Sequence, residues 1–333
     1  MPVLKQAFSV VAHGVKVFLN LEIGVVRDGA TPRRADTPKR AQSRAASEAD
    51  GDGGAGVRPE NVIWLFGTGR SGNTWLSSMM EDLGYALWRE PSVGKLFGEF
   101  YYLHSREGQR GTSNFVLGQK QKGTWLQSIR NFVLEGARGR FPEMGDNYLM
   151  IKEQVGSVGA PLLVEALPES RMIFLVRDPR DVVASWVSAT RKGGWRYERL
   201  NEGDPDWSTT VDEDPITFVR ERANIYLRSV GKAKEAYATH RGPKILVRYE
   251  ELRADTLGTM RRIHAALGVD VDQTRLARVV ERHAWENVPE NEKGEGKFRR
   301  KATPGGWRDD LSPEQTKLVE EITAPLLEAF YTA

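Results

Sequence analysis

The chain has 333 residues, 48 Lys+Arg against 45 Asp+Glu for a formal charge of +3, and no cysteine. The length suits one large domain or two small ones. The missing cysteine excludes a disulfide framework, a thiolate zinc or iron–sulfur site and a cysteine nucleophile, and it agrees with a reducing, cytoplasmic setting. A charge this close to neutral argues against a nucleic-acid-coating protein and leaves basic residues to act locally.

In residues 1–26, Leu4, Phe8, Val11, Val15 and Phe18 recur at helical spacing, while Val15, Val17, Leu19, Leu21, Ile23 and Val25 alternate as a strand does. Lys5, Lys16, Asn20 and Glu22 make the segment too short and too polar to span a bilayer. No charged leader with a small-residue cleavage site is evident. We read residues 1–26 as an amphipathic segment that packs on the domain or a partner, with peripheral membrane contact through an interfacial helix as the alternative. From Asp28 to Gly56 there is no Val, Ile, Leu, Met, Phe, Tyr or Trp. Such a stretch cannot offset its ordering entropy, so residues 27–60 read as a disordered linker and 61–333 as the catalytic domain.

Beyond Asn61 short apolar runs alternate with helical patterns. Val62–Phe66, Leu149–Ile151, Met172–Val176 and Ile245–Val247 read as buried strands, with Tyr85–Arg89 as a second strand after the first helix. Helices are expected near 73–83, 178–192, 214–239, 255–267, 272–284 and 312–330. The alternation predicts an α/β fold of three layers, a mostly parallel sheet flanked by helices. Between Tyr101 and Asp146 the pattern blurs, and we expect an irregular insertion that bears on acceptor choice.

Two segments carry chemistry. The first strand runs into Gly67-Thr68-Gly69-Arg70-Ser71-Gly72-Asn73-Thr74-Trp75 and then a helix, so backbone amides and the helix's positive end face one space, where a phosphate fits. The spacing copies G-x-x-x-x-G-K-[ST] with Asn73 in place of the lysine, which weakens the case for ATP or GTP hydrolysis and favours a terminal 5′-phosphate. Elsewhere, Met172–Val176 ends in Arg177-Asp178-Pro179-Arg180-Asp181, with Ser185 two turns into the following helix. Arg177 at the carboxyl end of a parallel strand, with Ser185, can hold a second phosphate.

These motifs resemble those of sulfotransferases that use 3′-phosphoadenosine-5′-phosphosulfate (PAPS) as donor. Arg70-Ser71-Gly72-Asn73-Thr74-Trp75 is similar to the family's 5′-phosphate loop, and Arg177 with Ser185 to its 3′-phosphate motif. Phe298-Arg299-Arg300-Lys301-Ala302-Thr303-Pro304-Gly305-Gly306-Trp307 resembles its basic carboxyl-terminal loop, with Ala302 where the family usually has glycine. Tyr249 and Trp285 match positions near the adenine, and Trp75 is a further ring for the base. The resemblance implies PAPS as co-substrate, no metal, and Arg70 and Lys152 as the cations stabilising transfer.

Sulfuryl transfer to a hydroxyl also needs a base. Where steroid-type relatives have Lys-Thr-His, this chain reads Lys152-Glu153-Gln154, and glutamine cannot accept a proton. Carbohydrate-acting relatives place a glutamate after the second strand, which Glu90-Pro91 resembles. Glu90 is therefore the expected base, with Glu153 as alternative, and a glycan or glycolipid the favoured acceptor ahead of a small hydroxylated metabolite. The rival readings are a nucleotide-dependent kinase using the same loop and a catalytically idle nucleotide-binding scaffold.

Overall fold

The computed structural model describes residues 9–12, 15–18, 57–197 and 210–331. Ser9–Ala12 (β1) and Val15–Phe18 (β2) pair antiparallel, so the alternating pattern and not the helical stripe is realised over these residues. They belong to a unit separate from the rest of the chain. Of the expected linker, residues 27–56 lie outside the described residues. Its last part is already domain: Val57 is buried, and Pro59–Asn61 forms a 3-10 turn into the first central strand.

Five strands build the larger unit: Val62–Phe66 (β3), Ala86–Arg89 (β4), Leu149–Lys152 (β5), Arg171–Val176 (β6) and Lys244–Arg248 (β7). All neighbours run parallel, in the order β4-β5-β3-β6-β7. Strand alternation sends side chains to two separate cores. Val62, Trp64, Phe66, Ile151, Phe174 and Val176 face one side, packed by helices Lys122–Arg140, Ala160–Ala166 and Pro215–Thr239. Ile63, Leu65, Met150, Ile173 and Leu175 face the other, packed by helices Asn73–Asp82, Thr256–Leu267 and Gln273–Arg282. Burial on both faces explains why these strands are continuous apolar runs.

The chain leaves β3 for β4 and β5 on one side, then crosses to β6 on the other. The carboxyl ends of β3 and β6 therefore adjoin at the place where strand order reverses, the usual ligand crevice of open α/β sheets. Both anion motifs sit there. The expected irregular insertion is more ordered than anticipated: it holds the 19-residue helix Lys122–Arg140, anchored by Trp125, Ile129, Val133 and Ala137.

Helix Val93–Gly98 continues in π geometry through Glu99–His104. Its glycines let it cross the Val155–Gly159 turn almost backbone to backbone. A Cβ on Gly94 would lie 2.0 Å from the Gly156 carbonyl, and one on Gly98 2.4 Å from the Gly159 Cα. Among the described residues, no helix is long and apolar enough to cross a membrane.

Candidate active site

The loop after β3 is tightly laced. Gly67 has no room for a Cβ, which would stand 2.5 Å from the Leu175 carbonyl, and its amide donates to Ser157 Oγ at 3.0 Å. Gly72 adopts φ 90, and a Cβ there would be 2.6 Å from the Tyr249 ring. Asn73, where a nucleotide hydrolase would carry lysine, instead donates from Nδ2 to the Thr68 carbonyl at 2.8 Å. That side chain closes the loop on itself rather than extending toward a distal phosphate.

The Arg70 side chain reaches the second motif. Arg70 itself is left-handed at φ 71. Its Nε donates to Ser185 Oγ at 2.9 Å, and a terminal nitrogen donates to the Phe298 carbonyl at 2.8 Å. The guanidinium also stacks 4.6 Å from the Phe298 ring and 5.5 Å from that of Trp195. Burial, reinforced by Arg177 and Arg300, lowers its pKa to about 10. Arg177 donates to the Arg70 carbonyl at 2.9 Å and lies 4.4 Å over the Tyr249 ring. Asp178 caps the helix Pro179–Thr190 by accepting from the Arg180 amide at 2.8 Å, which starts the helix at the strand end and sets Ser185 opposite Arg70.

The basic loop is pinned over this cluster by Asp181, which accepts from the Gly305 amide at 2.7 Å and the Trp307 amide at 3.0 Å. Arg300 and Lys301 both pair with Asp310, and Arg299 with Glu292. Ala302 takes φ 52, the glycine-like conformation, even though it carries a Cβ. Trp75 donates from its indole to the His283 carbonyl at 2.9 Å and meets Tyr249 edge-on at 6.4 Å.

One cavity of about 420 Å³ gathers these groups: Arg70, Gly72, Asn73, Thr74, Trp75, Arg177, Ser185, Tyr249, Trp285 and Arg299–Lys301 all line it. Ser71, between the lining residues Arg70 and Gly72 in the chain, is fully buried and does not line it. Its Oγ and the Arg177 Nε are buried without a hydrogen-bond partner, and both suit anionic oxygens. Trp195, Arg196, Arg253 and Arg282 also line the cavity and were not anticipated from the sequence. Asp181 was not anticipated as a loop anchor either; its partners are more than 120 residues away in the chain.

The acid–base candidates stand beside this cavity and do not line it. Lys152 Nζ is 3.4 Å from Thr74 Oγ1, which does line it, and 3.3 Å from Glu90 Oε1. Glu90 Oε2 accepts from the Val155 amide at 3.2 Å. Burial raises the Glu90 pKa against the pull of Lys152 and the Val155 amide. Glu153 is enclosed completely, and its Oε1 accepts from the Val93 amide at 2.8 Å. Burial first, then the proximity of Glu90, pushes its pKa up to about 7. Gln154, at the histidine place of the steroid-type motif, lines the cavity.

The sulfotransferase domain model matches residues 60–331. Sulfotransferase 2A1 of Macaca fascicularis is 22% identical over 226 residues, covering 60% of this chain and 72% of its own length. Among solved structures, mouse sulfotransferase SULT7A1 complexed with PAP aligns at a TM-score of 0.50 and 17% identity, over 82% of this chain and 86% of that one. Sulfotransferase STF9 from Mycobacterium avium aligns at 0.46 and 14%, over 83% and 78%. With the family's motifs gathered in one cavity and its domain spanning the whole sheet, the chain belongs to the sulfotransferase family.

Proposed function

We propose that the protein transfers a sulfuryl group from PAPS to an acceptor hydroxyl. The observation that carries this is the convergence of the Gly69–Trp75 loop and the Arg177–Ser185 segment on one cavity, where the lining residue Arg177 keeps its Nε buried and unpartnered. A donor with phosphate at both ends of its adenosine would use the loop amides and Ser71 at one end. At the other it would use Arg177, Ser185 and the Arg299–Lys301 loop, with Trp75, Tyr249 and Trp285 around the base. The complex of mouse SULT7A1 with PAP supports this choice of donor.

Transfer is an in-line displacement. The acceptor oxygen forms a bond to sulfur, the bond from sulfur to the 5′-phosphate oxygen breaks, and adenosine 3′,5′-bisphosphate (PAP) leaves. The acceptor proton passes to Glu90, whose burial makes it a better base than an exposed carboxylate. Lys152, beside both Glu90 and Thr74, and Arg70 supply positive charge to the departing oxygen. A glycan or glycolipid is the favoured acceptor, because Gln154 cannot act as the base of the steroid-type motif and Glu90 holds the place used by carbohydrate-acting relatives.

Calorimetry with PAP and ATP separates this reading from a kinase: PAP should bind at least about tenfold tighter. Radiolabelled transfer from PAPS to a pool of monosaccharides, glycolipids and small hydroxylated metabolites separates an enzyme from an idle scaffold. Tighter ATP binding, or transfer to no acceptor, defeats the proposal. Glu90→Gln should cut turnover by about 10²-fold or more while PAP affinity stays within about twofold.

A further inference from the structure

Glu90 sits in an unusual piece of backbone. Glu90 at φ 49 and Ser92 at φ 61 are both left-handed, flank Pro91, and are not glycine. Ser92 begins helix Val93–Gly98 yet makes no side-chain cap. Such conformations persist only where the surroundings over-determine them.

The determinant comes from the neighbouring strand. The Glu153 amide donates to the Leu65 carbonyl at 3.0 Å, fixing the exit of β5 to β3. The Glu153 carboxylate then reaches across to accept from the Val93 amide at 2.8 Å, with the Gly94 amide at 3.5 Å. It stands in for the cap that Ser92 does not provide. The same stretch grips Glu90 directly: the Lys152 carbonyl accepts from the Glu90 amide at 2.9 Å, and Lys152 Nζ and the Val155 amide hold the two carboxylate oxygens.

We propose that Glu153 is a positioning residue: through the Val93 amide it clamps the Glu90–Val93 turn, so that the Glu90 carboxylate stays between Lys152 Nζ and the Val155 amide. The inference rests on the reading of Glu90 as the base. Glu153 has no route to an acceptor of its own. It is 0% exposed, and its Oε2 abuts Gly156 so closely that a Cβ there would come within 1.7 Å. A base must exchange a proton with the acceptor, whereas a clamp needs only an accepting oxygen at Oε1, which glutamine also offers.

The test compares Glu153→Gln, Glu153→Ala and Glu90→Gln by ligand-free crystal structures, PAP calorimetry, and radiolabelled transfer from PAPS to a pool of alkyl glycosides and monosaccharides. Glu153→Gln should keep the Glu90–Lys152 pair within about 4 Å and kcat within about threefold. Glu153→Ala should let Glu90 leave the left-handed region, open the pair, and lower kcat at least about tenfold, with the KM for PAPS changed less than about twofold. Where Glu153→Ala does not fold, Glu153→Asp, too short to reach the Val93 amide, carries the same expectation. An alanine variant with the turn and kcat intact overturns the proposal. So does a Glu153→Gln protein as inactive as Glu90→Gln, which would make Glu153 the base. Normal turnover in Glu90→Gln defeats the base assignment instead, and the crystallographic comparison still decides whether Glu153 clamps the turn.

Discussion

Ala302 shows how a single Cβ is tolerated where glycine is easier. At φ 52 it occupies backbone space that L-residues enter at a cost of about 1 kcal/mol, and the Arg253 side chain donates to its carbonyl at 3.2 Å. Ala302→Gly should therefore raise stability by about 1 kcal/mol in chemical denaturation, and a loss would show that the Cβ makes a useful contact. The opposite change at Gly72, to alanine, meets both an unfavourable φ of 90 and the Tyr249 ring. It should weaken PAP binding at least about tenfold by calorimetry, and unaltered affinity would refute the loop's part in the site. Glu153 makes a pH prediction. Its folded pKa of about 7 lies above the usual 4.5, so the native state binds the extra proton and stability falls as pH rises through that interval. Glu153→Gln, which mimics the protonated form, should gain stability over the parent protein as pH climbs from about 4.5 to about 7 and level off above it. A constant difference in melting temperature across that window would refute the burial argument.

At the level of elements, Asp181 joins helix Pro179–Thr190 to the basic loop through two main-chain amides. Asp181→Asn can accept from only one of them and turns an amide donor toward the other. The expected result is at least about tenfold weaker PAP binding and faster tryptic cleavage at Arg299–Lys301; unchanged values of both would remove Asp181 from the loop's support. The central strands and six of the seven described helices of ten or more residues in the larger unit are legible in the sequence, because buried parallel strands are unbroken apolar runs and acidic caps such as Asp178 and Asp214 precede their helices. Helix Lys122–Arg140 is not legible in the same way, because its buried residues form a single stripe four apart, interrupted by Gly123, Gly136 and Gly139. The two segments proposed to bind phosphate are contiguous in the chain and legible directly. Asp181 and Trp195 are not, since their roles depend on partners far along the chain.

For the whole molecule, the total of +3 conceals the cavity, where Arg70, Arg177, Arg253, Arg282 and Arg299–Lys301 converge. Binding that depends on such a concentration of charge should weaken with salt: PAP affinity should fall at least about threefold between 50 and 300 mM NaCl, roughly as the Debye length shortens. A flat salt response would place the binding energy in the aromatic contacts instead. The larger unit includes the whole family match, so a chain beginning at Gly53 should keep PAP affinity and turnover within about twofold. Loss of either would assign residues 1–52 to the site.

The glycine crossing between helix Val93–Gly98 and the Val155–Gly159 turn has an evolutionary consequence. Any side chain at Gly94, Gly98 or Gly159 would collide with backbone, which no rotamer change relieves, and one at Gly156 would displace the Glu153 carboxylate. Saturation libraries selected for new acceptors should therefore return glycine at all four positions. Their diversity should collect downstream at the exposed Phe100, Leu103 and Val116, and innovation in this enzyme would begin where the crossing ends.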